Sequence, residues 1–230
     1  AGVDVIELAP EETAAVSSLW VDDLAVMVNG TALITRPKRP GRTAEVAALL
    51  QELAWQVYEC PAVENGRGVV LEGSDVLFTG KELFVGIRAK TGTNLEGVMS
   101  VAKSFPDFAV VPVTVEGNKP LKYYVSLAAP DVLTVSSCKE GQNILKRIER
   151  EATYRYSVIT LEHEQAVNCL NINGHLIFRT DWDDVNQKLA VLNHITKFYG
   201  VSLNELTKLG GQLSQYCLMV RKIRHLKNLW

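Results

Sequence analysis

Apolar and polar positions form one pattern that recurs along the chain with a period of roughly 50 residues. Its first copy has an apolar strand at 31–35, a helix at 42–53 and a further strand at 56–60. The pair Asn29-Gly30 precedes the first strand and is typical of a two-residue hairpin turn. Within 42–53 the apolar residues lie three and four positions apart, which indicates a helix with one apolar face.

Three further copies of the pattern follow, and together the copies indicate the order strand, strand, helix and strand. The predicted segments are strands 75–78 and 82–86, helix 94–105 and strand 108–115; then strand 132–135, helix 141–151 and strand 157–161; then strands 169–172 and 175–178 and helix 181–193. After these copies, a capping-box signature at 202–205 predicts one short helix. The stretch 216–220 predicts a closing strand.

One such unit cannot bury both faces of its own sheet, so the units must pack around a shared axis with the helices outside. The sequence therefore predicts an α/β fold made of ββαβ repeats. We expect a single domain over 1–222, followed by a short basic C-terminal tail at 223–230.

Composition and charge exclude several classes of partner. The chain has 230 residues, 47% of them hydrophobic and 22% charged, with a formal net charge of -2. A chain of this charge has no electrostatic reason to bind nucleic acid or an anionic membrane. No apolar run approaches the ~20 residues that span a bilayer, so we expect no membrane insertion.

The cysteines and histidines carry no recognisable metal or cofactor motif. Cys60, Cys138, Cys169 and Cys217 are far apart, and no Cys-x-x-Cys pair is present. Such sparse cysteines are typical of reduced thiols inside cells, which predicts a cytoplasmic or mitochondrial location. No phosphate-binding loop or dinucleotide fingerprint occurs. We expect neither a metal nor a cofactor.

Four stretches carry a family resemblance. They are Trp-Val-Asp-Asp at 20–23, Thr-Ala-Leu-Ile-Thr-Arg-Pro at 31–37, Leu-Glu-Gly-Ser-Asp-Val-Leu-Phe-Thr-Gly at 71–80 and Leu-Phe-Val-Gly at 83–86. They resemble dimethylarginine dimethylaminohydrolase, of the guanidino-modifying pentein superfamily, and the resemblance runs from about 5 to 222. It implies a five-bladed α/β propeller of ββαβ units, from which this chain lacks most of the first blade.

The resemblance also implies a reaction and a set of site residues. In that family a cysteine thiolate attacks a guanidinium carbon, a histidine transfers the protons, and the products are citrulline and an amine. Carboxylates hold the guanidinium group and basic residues hold the substrate carboxylate. The matching positions are Asp22, Asp23, Glu72 and Asp75 for the guanidinium group, and Arg42 and Lys90 for the carboxylate.

The two residues that perform the chemistry do not carry over. Pro120 stands where the family has its histidine, and a gapless match places Gln215 at the nucleophile. Neither side chain can perform the reaction, so the resemblance implies no ordinary guanidine hydrolysis. Cys217, two residues further on, is the fallback nucleophile, because a shift of two residues along a strand keeps the same face. The alternative interpretation of Cys217 is a buried structural thiol.

Other residues leave two interpretations open. The four carboxylates form either a cation pocket, filled by a ligand or by an internal Lys or Arg, or a set of turn caps. His163 is either a replacement base or an exposed loop residue. In the tail, Ile223, Leu226 and Trp230 fall on one helical face, either as a surface that docks a protein partner or as a segment folded back on the domain.

Two functions follow from the sequence. The first is a catalytically inactive dimethylargininase-like protein that acts as a binding or structural module, as a subunit of a larger assembly or as a protein that binds an arginine-like small molecule. The alternative is an active guanidine hydrolase that produces citrulline through Cys217. Pro120 and Gln215 favour the first.

Overall fold

The described part of the chain contains four three-stranded sheets, and each sheet repeats one connection order. A computed structural model describes residues 2–9, 15–88 and 90–221. In every unit two antiparallel strands form a hairpin, a helix follows, and a third strand returns parallel to the middle strand. The predicted order of strand, strand, helix and strand is thus present four times.

The first two units occupy the N-terminal half. The first unit consists of β1 (Ala25–Val28), β2 (Thr31–Ile34), α1 (Thr43–Leu53) and β3 (Gln56–Glu59). A small exposed hairpin of β4 (Val63–Glu64) and β5 (Arg67–Gly68) follows. The second unit consists of β6 (Val76–Phe78), β7 (Glu82–Ile87), α2 (Leu95–Ser104) and β8 (Ala109–Thr114).

The other two units each begin with a short helix. The third consists of α3 (Leu121–Tyr124), β9 (Val125–Ala129), β10 (Val132–Ser136), α4 (Lys139–Glu151) and β11 (Ser157–Leu161). The fourth consists of α5 (Glu164–Val167), β12 (Leu170–Ile172), β13 (His175–Arg179), α6 (Asp183–Leu189) and β14 (Lys197–Val201). After it comes α7 (Asn204–Lys208).

The middle strands form the core because sheet neighbours flank them and side chains cover both faces. In β10 every residue is buried, and in β7 all but the last are. Such strands appear in the sequence as continuous apolar runs rather than as alternating ones. Phe84, in β7, is fully buried within a cluster that also contains residues of the third unit.

The Asn-Gly pairs form the hairpin turns that the sequence predicts. Asn29 and Gly30 have φ of 47° and 87°, and Asn173 and Gly174 have φ of 51° and 75°. A two-residue turn with positive φ at both positions matches the twist of the strands that it joins. These turns therefore fix the register of β1 with β2 and of β12 with β13.

Five short helical turns contact one another in a closed circuit. They are Val21–Leu24, Gly73–Asp75, α3, α5 and Leu213–Tyr216. The turn Val21–Leu24 contacts both Gly73–Asp75 and Leu213–Tyr216, and α3 contacts both Gly73–Asp75 and α5. Asn168, just after α5, closes the circuit because its Nδ2 donates to Oγ of Ser214 over 2.8 Å.

This circuit brings together residues that lie far apart in the sequence. The first four turns each precede the first strand of a unit, so one end of each unit meets its neighbours there. Gly73 allows the closest approach, because a Cβ atom at this position would lie 1.8 Å from the carbonyl oxygen of Asp22. Any larger residue at 73 must therefore push two of the turns apart.

Two predicted details at the C-terminal end are wrong. The predicted closing strand at 216–220 is not a strand: Tyr216 ends a 3-10 helix, and no sheet pairing includes 217–220. Leu218 and Val220 nevertheless pack on the first unit, which explains their apolar character. The capping box at 202–205 is also absent, since the helix begins at Asn204 and its cap residue, Leu203, makes no side-chain hydrogen bond.

The sequence also did not predict the hairpin strands β1 and β9 or the outer strand β14. In β14 the residues Lys197, Tyr199 and Gly200 are exposed, so the segment lacks the apolar run that marks the middle strands. Among the helices in the described residues, none is long and apolar enough to cross a membrane.

Candidate functional site

The four predicted carboxylates converge at the circuit of turns. Asp22 and Asp23 belong to the turn Val21–Leu24, while Glu72 and Asp75 lie beside and within the turn Gly73–Asp75. The main-chain N–H of Ser74 donates to Oδ1 of Asp23 over 3.1 Å. These four residues are called the acidic cluster below.

Asp75 is fully buried and accepts hydrogen bonds from three directions. Its principal partner is Arg88, whose Nε lies 2.9 Å from Oδ1 and whose Nη2 lies 2.8 Å from Oδ2. The hydroxyl of Thr93 donates to Oδ2 over 2.8 Å, and the main-chain N–H of Leu121 donates to Oδ1 over 3.0 Å. Such a paired geometry is the strong form of an arginine–carboxylate contact.

Arg88 also holds a second carboxylate of the cluster. Its Nη2 donates to Oε2 of Glu72, and its Nη1 lies 3.3 Å from the carbonyl oxygen of Asn118. Only 5% of the Arg88 side chain is exposed. An internal guanidinium group therefore fills the space between Glu72 and Asp75.

A second internal cation pairs with Asp22. The Nζ atom of Lys122 lies 2.9 Å from Oδ1 and 2.8 Å from Oδ2 of Asp22. Lys122 belongs to α3, and its carbonyl oxygen accepts a hydrogen bond from Asn168. Two of the circuit's turns are thus joined by an ion pair that is largely withdrawn from water.

Burial dominates the electrostatics of the cluster. It raises the pKa of Asp22 to about 6 although Lys122 opposes the rise, and it raises the pKa of Glu72 to about 7 although Arg88 opposes it. Burial also raises the pKa of Asp23. For Arg88, burial acts to lower the pKa, but Asp75 and Glu72 outweigh it and the pKa is raised. The cluster therefore favours a cation.

The segment that contains Pro120 forms one wall of the cluster. Pro120 precedes the first residue of α3 and has no side-chain polar group. Its neighbours Asn118, Leu121 and Lys122 contact Arg88, Asp75 and Asp22 respectively. Position 120 thus lies next to the acidic cluster.

Gln215 lies in the turn Leu213–Tyr216 and acts as a cap. Its Oε1 accepts a hydrogen bond from the main-chain N–H of Gln212 over 2.9 Å, while the Gln212 side chain accepts one from the main chain of Gln215. Gln215 is buried, and the turn Leu213–Tyr216 that carries it contacts the turn of Asp22 and Asp23. Its amide group therefore fixes its own turn.

Cys217 follows this turn and is partly buried. Burial raises the pKa of its thiol, and the negative charge of Asp22 raises it further. A thiol in such surroundings is held in its protonated form, the opposite of an activated nucleophile.

The two predicted carboxylate-binding residues make other contacts. Arg42 donates through Nε and Nη2 to the carboxylate of Glu45, each over 2.6 Å. Lys90 is exposed, and its carbonyl oxygen accepts a hydrogen bond from Nζ of Lys38 over 2.6 Å.

The histidines of the described residues are engaged elsewhere. His163 stacks on Trp182 with ring centroids 4.6 Å apart, and its Nε2 lies 3.3 Å from Oδ1 of Asp184. His175 packs on Tyr199, and His194 is exposed. The predicted docking residues Ile223, Leu226 and Trp230 lie outside the described residues.

Sequence analysis missed the two cations of the site. The four stretches that carry the family resemblance contain neither Arg88 nor Lys122, although an internal Lys or Arg is one of the sequence-based interpretations of the cluster. One signal was present in the sequence, since Arg88 directly follows the apolar run of β7. A charged residue in such a place needs a partner of opposite charge.

The chain is similar in sequence to proteins that are already known. No protein-family model matches it. The chain is 33% identical over 236 aligned positions to a human protein named "Putative hydrolase DDAH2", with 97% of this chain and 80% of the relative covered. The chain belongs to the dimethylarginine dimethylaminohydrolase family. A relative from Pseudomonas aeruginosa, named N(G),N(G)-dimethylarginine dimethylaminohydrolase, is 23% identical over 224 positions and covers 95% of this chain and 82% of its own length.

Solved structures support the family fold. The Pseudomonas aeruginosa enzyme in complex with citrulline has a TM-score of 0.70 at 21% identity, covering 87% of this chain and 75% of the other. The substrate-bound N-terminal domain of ArgZ, a cyanobacterial arginine dihydrolase, has a TM-score of 0.70 at 18% identity, covering 90% and 76%. The predicted α/β fold of this family is therefore confirmed, while the propeller arrangement stays a prediction.

Proposed function

We propose that this chain is a catalytically inactive member of the dimethylarginine dimethylaminohydrolase family that acts as a binding or structural module. The family reaction, as the resemblance implies it, needs a thiolate and a proton-transferring histidine in contact. The observation that carries the proposal concerns Gln215, at the position matched to the nucleophile. Its side-chain Oε1 accepts a hydrogen bond from the N–H of Gln212 and so caps its own turn.

The surroundings of the cluster support the same conclusion. Pro120 has no proton to transfer, and His163, His175 and His194 lie in contacts outside the cluster or in solvent. Loss of a nucleophile or of its base alone can reduce kcat by ~10⁶ in a well-studied hydrolase. We therefore expect no dimethylarginine hydrolysis above background.

The second candidate function is hydrolysis through Cys217. One observation favours it: Cys217 lies close enough to Asp22 for the charge of that carboxylate to raise the pKa of the thiol. The same charge weighs against it, because a raised pKa leaves little thiolate at neutral pH.

A citrulline assay separates the two functions. The protein is incubated with asymmetric dimethylarginine, and citrulline is measured for the unaltered chain and for Cys217→Ala. No citrulline from either supports the inactive module. Turnover that disappears in Cys217→Ala establishes Cys217 as the nucleophile, and turnover that survives this substitution contradicts the match of Gln215 to the nucleophile position.

The proposal includes an intracellular location, cytoplasmic or mitochondrial, and a protein partner bound through 223–230. The four cysteines support the location, since each is a free thiol. Deletion of 223–230 tests whether this tail binds a protein partner. We expect a complex that forms with the full chain to be lost when 223–230 is deleted. A complex that persists after the deletion contradicts the proposed role of the tail.

A further inference from the structure

Arg88 differs from an ordinary surface arginine in how completely its charge is satisfied inside the protein. Its guanidinium group contacts Asp75 through Nε and Nη2, Glu72 through Nη2, and the Asn118 carbonyl oxygen through Nη1. Every nitrogen of the group therefore has an acceptor. This arrangement is what a receptor for a free guanidinium ion requires.

The backbone around Arg88 is shaped to its side chain. A Cβ atom at Gly92 would lie 2.3 Å from Nη2 and 2.5 Å from Cζ of Arg88. Glycine at 92 thus provides the space in which the planar group lies. The main-chain N–H of Gly92 bonds back to the carbonyl oxygen of Arg88, which fixes the loop over the group.

The position of Arg88 also bears on what the acidic cluster can bind. The Arg88 guanidinium group donates hydrogen bonds to Oε2 of Glu72 and to both carboxylate oxygens of Asp75. A second guanidinium group that approached these oxygens would meet a like charge at contact distance, in surroundings where water screens little. Occupation by Arg88 therefore excludes an external guanidinium group from Glu72 and Asp75.

We propose that Arg88 is an internal ligand that fills a guanidinium site made by Glu72, Asp75 and the Asn118 carbonyl, and that this site binds external guanidinium compounds once the Arg88 side chain is removed. The inference rests on the proposed function in one respect, namely that the unaltered chain turns over no guanidinium substrate. The occupation by Arg88 also explains why the unaltered chain binds no external guanidinium compound at Glu72 and Asp75.

Chemical rescue tests the proposal. Arg88→Ala leaves buried Asp75 and partly buried Glu72 without their cation, and we expect its thermal midpoint to fall by about 10 °C. Methylguanidinium chloride should then raise the midpoint by about 4 °C at roughly ten times its Kd. Methylammonium chloride at equal concentration controls for charge and ionic strength, and should give no comparable rise.

Two further variants make the test specific. Arg147→Ala removes an arginine whose guanidinium group binds Glu116 at the surface, so methylguanidinium should affect it no more than the unaltered protein. In Arg88→Ala combined with Glu72→Gln the rescue should weaken. Equal responses of Arg88→Ala and Arg147→Ala to methylguanidinium would overturn the proposal.

Poor folding of Arg88→Ala does not remove the test. Purification is then carried out with methylguanidinium or with methylammonium in every buffer. Folded protein recovered only with methylguanidinium supports the internal-ligand proposal, and equal failure with both ions overturns it.

Binding and turnover separate this inference from the proposed function. L-arginine titrated calorimetrically into the unaltered protein should give no binding heat, and into Arg88→Ala it should bind. Arginine binding to the unaltered protein without citrulline release overturns the inference alone. Citrulline release from dimethylarginine by Arg88→Ala only would support the inference and overturn the proposed inactivity, whereas release by the unaltered chain would overturn both.

Discussion

The main-chain N–H of Leu121 donates a hydrogen bond to Oδ1 of Asp75 over 3.0 Å, although 46 residues separate them in the sequence. Leu121 follows Pro120, so this bond fixes the segment where the family resemblance places a histidine. The same carboxylate holds Arg88 from the other side. Asp75 is therefore the centre that joins the second and third units at the circuit of turns.

The first prediction concerns this centre. Asp75→Asn should reduce the free energy of unfolding by about 3–5 kcal/mol, because it removes the charge that compensates buried Arg88. The measurement is urea denaturation followed by circular dichroism. Asp131→Asn is the matched control: Asp131 pairs with Lys81 at the surface, with both side chains more than 40% exposed, so its loss should cost less than about 1 kcal/mol. Equal losses in the two variants would contradict a central role for Asp75.

The second prediction concerns the space beside Arg88. Gly92→Ala should destabilise the protein by about 1–3 kcal/mol, because the added methyl group overlaps the Arg88 guanidinium group. Gly68→Ala is the control, since a Cβ atom at 68 meets no atom within 4 Å and its φ is not in the left-handed region. Thermal unfolding of both variants measures the difference, and an unchanged midpoint in Gly92→Ala would show that Arg88 has another stable position.

Regular elements could be predicted from the sequence because their signals are local. The strand β7 appears as an apolar run after the turn Thr79-Gly80. The helix α2 begins directly after its N-cap residue Asn94, whose side chain accepts a hydrogen bond from the N–H of Gly97. Each of these signals involves residues within a few positions of one another, so it can be recognised without knowledge of the tertiary structure.

The contents of the site could be predicted only in part. The resemblance indicated the four carboxylates, but the cations that neutralise them depend on tertiary contacts. Lys122 meets Asp22 across 100 residues, and Arg88 meets Asp75 across 13 residues that include a hairpin. Nothing local in the sequence distinguishes Lys122 from an exposed lysine, and the one local signal for Arg88 is its position directly after the apolar run of β7. The β14 strand was missed for a similar reason, since its outer position leaves it without an apolar run.

The third prediction concerns pH. The pKa of Asp22 is raised from 3.8 to about 6 in the folded chain, chiefly by burial. Between about pH 4 and pH 6 the folded chain holds a proton at Asp22 that the unfolded chain has released. This contribution to stability is present below about pH 4 and is lost as the pH rises to about 6.

The pH prediction is tested by substitution. In the unaltered chain the free energy of unfolding should fall by about 2–3 kcal/mol between pH 4 and pH 6 because of Asp22. In Asp22→Asn this fall should be absent. Urea titrations across that pH range measure the difference. Glu72→Gln should instead remove a decrease that extends to about pH 7, because burial raises the pKa of Glu72 to that value. Identical pH slopes in the unaltered chain and in Asp22→Asn would contradict the assignment.

The last prediction concerns the thiol of Cys217, on which the alternative function depends. Burial and the charge of Asp22 raise its pKa above the ordinary value of 9.0, so little thiolate exists at neutral pH. We expect iodoacetamide to alkylate Cys217 in the folded protein more slowly at pH 7 than in the urea-unfolded protein, with a rate that still rises beyond pH 9. Mass spectrometry of the peptide that contains residue 217 measures the rate at each pH. A rate that levels off near pH 7 would instead reveal a stabilised thiolate beside the acidic cluster, and would favour hydrolysis through Cys217 over the inactive module.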